Sequence, residues 1–94
     1  MKTYLIQRNL PGAGKLTLRD RKAIAIKSCK VIEDLGQDKI QWIHSHITVD
    51  NLWCVYKGES EDILWEHAKR GNFPCNEIRE IFGTFSPATA LELV

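Results

Sequence analysis

The chain has 94 residues, with 13 basic and 12 acidic side chains and a formal net charge of +1. That length supports one domain over residues 1–94 with a single modest core, and the mixed, balanced charge speaks against nucleic acid, whose binders carry a basic footprint. No apolar run has the length of a membrane span, and MKTYLIQRNL lacks the continuous apolar stretch and small-residue cleavage site of a secretory signal, so neither membrane nor nucleic acid is expected as a partner.

The three cysteines, Cys29, Cys54 and Cys75, are odd in number, widely spaced and form no C-x-x-C pair. They read as reduced thiols of a cytoplasmic protein. Residues 2–8, KTYLIQR, are β-branched and aromatic enough for a strand. The following NLPGAGKLT ends like a phosphate-binding loop, but the template fails. Asn9 stands where the first glycine belongs, Leu16 stands where the hydroxyl belongs, and Pro11 removes an amide. The segment reads instead as a turn leading to Thr17, an N-cap with Asp20 three residues on. The amides at that helix start, beside Lys15, are expected to suit at most a stray anion.

Residues 18–35 read as a helix with Leu18, Ile24, Ala25, Cys29, Val31, Ile32 and Leu35 on its apolar arc, Ile26 outside it, and Gly36 as the stop. Residues 39–48 and 52–57 read as two strands of a hairpin turning at Asp50-Asn51. Ser60 is expected to cap a second helix over 61–70, with Glu61 and Asp62 at its positive end and Gly71 ending it. After Asn-Phe-Pro, residues 77–85 read as a last strand, and SPATALELV as a loosely held tail.

The order β-α-β-β-α-β is that of an α+β, ferredoxin-like fold, a four-stranded antiparallel sheet with both helices on one face. The uncovered face, carrying Trp42 and Trp53, is too apolar to leave in water. A homodimer packed sheet to sheet, barrel-like, would bury it.

Alternation along the second strand puts Trp42, His44, His46 and Thr48 on one face and Ile43, Ser45 and Ile47 on the other. Pairing Thr48 with Trp53 and Ile47 with Cys54 adds Trp53 and Val55 to the histidine face, and Cys54 and Tyr56 to the opposite one. A one-residue change of register would reverse this. His67 lies within the apolar arc Ile63, Leu64, His67 and Ala68 of the second helix and points at the sheet.

Two candidate sites follow. His67, Cys54 and Tyr56 combine a nitrogen donor, a soft ligand and a phenol, suited to a transition metal or to acid–base work. Equally, they make a core histidine bonded to Tyr56 beside a small buried thiol. His44 and His46, at i and i+2 on one strand face, suit a zinc- or nickel-like ion completed by a dimer partner, or else simply line an interface.

The ordered set PGAGKLT, QWIHSHITVDNLWCVY and EHAKRGNFP resembles a family of small ferredoxin-like domains of unknown function often labelled nickel-binding, over roughly residues 2–87. The matching positions are Trp42, His44, Ser45, Cys54, Tyr56, His67, Gly71 and Pro74. The resemblance implies a dimeric α+β domain that binds nickel or another divalent transition metal and carries no established reaction. Position 46 is usually Tyr in that family. Members with an evident metal site carry histidines at the end of the first strand and in the first helix, neighbourhoods that offer Arg8 and Ser28 here. Three functions stay open: a small binding protein for a metal or other ligand, a cofactor-free monooxygenase-like enzyme acting on a small aromatic substrate between helices and sheet, and a structural or interaction module. In the enzyme reading His67 shuttles a proton and Tyr56 orients the substrate.

Overall fold

The computed structural model of the chain describes residues 1–92. Strands β1 (Lys2–Asn9), β2 (Ile40–Ile47), β3 (Asn51–Gly58) and β4 (Glu77–Ile81) alternate with helices α1 (Leu18–Leu35) and α2 (Glu61–Gly71) in the order β-α-β-β-α-β. The strands form one antiparallel sheet in the order β2-β3-β1-β4. The core lies between this sheet and the helices. Tyr4 and Ile6 of β1 and Leu52, Cys54 and Tyr56 of β3 meet Ile32 of α1 and Leu64 of α2. Ile6, Ile40 and Leu64 are fully buried, each contributing about 2 kcal/mol by removal from water.

Strand alternation governs β1. Tyr4, Ile6 and Arg8 are buried while their neighbours are not, so the same period that buries two apolar side chains also buries a guanidinium. Helix α1 starts on a complete capping box. The Thr17 hydroxyl accepts from the Asp20 amide, and the Asp20 carboxylate accepts from the Thr17 amide. The backbone and side-chain bonds from Thr17 hold the Asp20 carboxyl below its usual range. The helix arc is rotated from expectation. Leu18 is 80% exposed and Cys29 is exposed, whereas Ser28 is buried with Val31 and Ile32.

The phosphate-loop look of residues 9–17 dissolves in the packing. The Gly12 amide donates to the Asp50 carboxylate and the Gly14 amide to the Val49 carbonyl. Gly12 has φ 80°, and a side chain at Gly14 would press on the Val49 backbone. The amides of Ala13, Lys15 and Leu16 are likewise satisfied within the turn. The loop is a clamp on the β2–β3 turn.

The hairpin differs from expectation in two ways. Its last pairs are Ile47 with Leu52 and His46 with Trp53, and the Thr48 amide donates to the Asn51 carbonyl. The turn is therefore Val49-Asp50, and the register is shifted by two, which preserves the faces of His44, His46, Trp53 and Val55. A bulge between Trp42 and His44 then adds one residue. Trp42 pairs with Tyr56 and moves to the helix side, not the histidine side as the alternation predicts.

Strand β4 ends at Ile81, because its pairing partner there is Thr3 and β1 begins only one residue earlier. Phe82 and Phe85 follow it fully out in solvent, at 91% and 87% exposure. The tail expectation runs over Pro87–Leu91, which is a 3-10 turn, and its final residues 93 and 94 lie outside the described residues. Ser60 precedes α2 without a side-chain cap bond, and Asn72, at φ 52°, supplies the left-handed C-cap expected of Gly71.

Substituting Thr17→Ala removes half of the capping box. It is expected to cost about 1 kcal/mol of unfolding free energy, read as a lower urea midpoint, while Thr17→Ser retains wild-type stability.

Candidate functional site

Between α1 and the sheet lies a cavity of about 420 Å³. Its walls are mostly apolar, from Leu16 and Ile24 on the helix side to Trp42, Ile47, Leu52 and Cys54 on the sheet side. The bulge in β2 builds one wall. It turns Trp42 inward, where the indole Nε1 donates to Ser45 Oγ at 2.9 Å and the ring stacks on Tyr56 at 6.3 Å between centroids.

The polar end of the cavity is formed by Arg8, Ser28 and Tyr56. Arg8 is 3% exposed. One guanidinium nitrogen donates to the Pro74 carbonyl at 2.8 Å, and the group lies against the rings of Tyr56 and Phe73, 5.8 and 5.5 Å from their centroids. Its other terminal nitrogen, Nη2, is buried and has no hydrogen-bond partner among the described residues. The C-cap of α2 makes this arrangement. With Asn72 left-handed, the Phe73 amide reaches back to the Ala68 carbonyl at 2.8 Å. That places the Phe73 ring stacked on His67 at 5.3 Å and delivers the Pro74 carbonyl to Arg8.

Behind this wall stands His67. It is wholly buried and does not line the cavity. Its Nε2 lies 3.0 Å from Ser28 Oγ, which lies 3.1 Å from the Tyr56 hydroxyl. Burial, and then the positive charge of Arg8, lower the His67 pKa to about 4 against a weaker opposing effect of Ser28. The imidazole is therefore neutral at physiological pH. Burial raises the Tyr56 pKa, partly offset by Ser28 and Arg8, so it remains a phenol. Burial also raises the Cys75 thiol.

The structure thus brings three predicted residues to one region. Tyr56 and Cys54 line the cavity, and His67 lies 5.1 Å from the Tyr56 ring on the far side of Ser28. Trp42 joins them through the bulge. Trp53 does not. It faces the open side of the sheet with its Nε1 bonded to Thr48, so its expected pocket role is corrected. His44 and His46 also lie on that open face, exposed, with rings 5.0 Å apart.

Arg8 and Ser28 enter the sequence only as positions without a histidine, and Phe73 only as part of a turn. Two signals pointed to the first pair. Arg8 continues the parity of Tyr4 and Ile6, and Ser28 sits one helical turn from both Ile24 and Ile32. Phe73 had no such signal, since its position depends on the helix cap.

The donor set at this cavity does not fit nickel. Among the described residues no three His, Cys, Asp or Glu side chains converge, and a divalent ion takes more ligands than His67 and Cys54 supply. The guanidinium that repels a proton from His67 would repel a dication more strongly.

A family model described as nickel responsive protein SCO4226-like matches residues 4–81. No curated protein matches the chain. Among solved structures, the crystal structure of SCO4226 from Streptomyces coelicolor A3(2) matches with a TM-score of 0.74, covering 88% of this chain and 99% of that one at 13% identity. At that identity the likeness carries the fold alone.

The buried neutral His67 ties stability to pH. The unfolded chain takes up a proton below about pH 6.5, whereas the folded chain does so only near pH 4. This contribution is complete above pH 6.5 and is lost as the pH falls through that window, at up to about 1.4 kcal/mol per pH unit. Urea unfolding of wild type and His67→Gln across pH 4–7 should show a steeper loss in wild type. Parallel curves would contradict the assignment.

Proposed function

This chain belongs to the nickel-responsive SCO4226-like family, and from that premise and its cavity we propose that it is a small ligand-binding protein that takes an organic molecule between α1 and the sheet. One observation supports the reading. A largely apolar space of about 420 Å³ opens on side chains that close polar contacts at one end, a volume within the usual range for small-molecule sites. A proton route from His67 to such a ligand would have to run through Ser28 and Tyr56, which is where an enzyme reading would place its chemistry. The free cysteines, with Cys29 exposed, support a reducing compartment, the cytoplasm. No helix among the described residues is long and apolar enough to cross a membrane.

The test is a neutral fluorescent probe, N-phenyl-1-naphthylamine. Wild type is expected to give a saturable fluorescence increase, and Ile24→Trp, which fills the cavity, is expected to lose most of it. A wild-type protein with no saturable signal would remove this reading.

A second reading rests on the open sheet face. There His44 and His46 stand edge to face beside Trp53 and Val55. We propose that a second copy covers this face as a homodimer, and that paired histidines from both copies hold nickel or another divalent transition metal. Light scattering at micromolar concentration is expected to find a dimer, and calorimetry a nickel heat that His44→Ala/His46→Ala abolishes. A monodisperse monomer, or a nickel heat unchanged in that double variant, would sink it.

A further inference from the structure

Among the described residues Arg8 has no counter-charge. Its guanidinium is buried, one carbonyl and two aromatic faces are its partners there, Nη2 has no hydrogen-bond partner among the described residues, and the side chain lines the cavity. A buried charge without a partner costs several kcal/mol, and aromatic faces recover about 2 kcal/mol at best.

The rim repeats the sign. Arg21 and Lys27 line the same cavity, Lys27 with its Nζ 5.1 Å from the centre of the Phe73 ring, and no carboxylate is among the lining residues. The cavity therefore has a positive, planar group with one unmatched nitrogen at its polar end and apolar walls beyond it.

We propose that the ligand is an organic carboxylate with an apolar or aromatic body, its carboxylate seated against Arg8 and its body against Trp42, Leu52, Ile24 and Ile47. The inference rests on the cavity-binding reading and adds the chemical class. A guanidinium edge matches a carboxylate in the plane of both groups. The walls ask for carbon, which inorganic anions do not offer.

The hydrogen-bond chain behind the wall supplies a second donor. His67 has one unmatched ring nitrogen, Nδ1, and a buried N–H without an acceptor is rarer than a bare lone pair. The proton therefore belongs on Nε2, donating to Ser28 Oγ. Ser28 then donates to the Tyr56 oxygen, and the Tyr56 O–H is left to donate into the cavity. Neutral His67 and un-ionised Tyr56 are the forms this chain needs, and burial favours both.

Matched probes separate the anion from the body: 1-naphthoate against 1-naphthamide, and decanoate against decanamide, by calorimetry on the intact chain. Each acid is expected to bind about 10- to 100-fold more tightly than its amide, the ratio that loss of a charge-assisted hydrogen bond produces. Arg8→Met is expected to erase that difference while retaining the amide's affinity. It should fold at least as well as wild type without ligand, because it replaces an unmatched buried charge by an apolar side chain. Equal affinity of acid and amide for wild type would overturn the carboxylate inference and leave the cavity reading standing. Absence of binding by both members of both pairs, with N-phenyl-1-naphthylamine also silent, would overturn the two together.

Discussion

A positive charge held out of water organises the helix side of this protein. Arg8 is buried because it falls on the inward parity of β1, and a guanidinium in that position demands groups that tolerate it. Tyr56 and Phe73 present ring faces, Pro74 presents a carbonyl, and His67 stays uncharged. These groups come from β3, from α2 and from the turn that follows α2, and together they accommodate Arg8. Burial lowers the imidazole first, and the charge of Arg8 lowers it further.

Two backbone devices put these groups in place. The bulge after Trp42 turns an indole from solvent to cavity at the cost of one unpaired residue. The left-handed Asn72 folds the chain back so that Phe73 and Pro74 both reach Arg8. The clamp of Gly12 and Gly14 on the Val49-Asp50 turn fixes the end of the hairpin from the other side, close in sequence to Leu10 and Leu16 of the cavity wall. The cavity-lining residues are thus carried on strands, helix and turn positions whose orientation is set by hydrogen bonds.

The family description speaks of nickel, and the cavity of this chain is lined by Arg8, Arg21 and Lys27 with no carboxylate among its lining residues. Histidines at the end of the first strand and in the first helix would make the same enclosure a set of nitrogen donors. This chain has a guanidinium and a hydroxyl there, Arg8 and Ser28. A shared fold with exchanged charge is compatible with different ligands in relatives, because the fold fixes where side chains meet and the side chains fix what they meet for.

Much of this was legible without coordinates. Element order, the capping box at Thr17 and Asp20, and the inward face of His67 all depend on local periodicity and hydrogen-bonding, which neighbouring residues carry in full. The failure of the phosphate loop was legible too, from spacing alone. The face of Trp42 was not, since one extra residue in a strand reverses parity and no residue type announces it. The burial of Ser28 in place of Cys29 was legible only in its spacing from Ile24 and Ile32, because a helix arc drawn from hydrophobicity cannot register that a hydroxyl is bonded by Tyr56 and His67. The sequence by itself determined which elements form and in what order, through short-range periodicity. Only the tertiary structure decided that Arg8, Ser28, Tyr56 and Phe73 share one enclosure, since that meeting joins distant positions through the α2 cap and the pairing of β1 with β3.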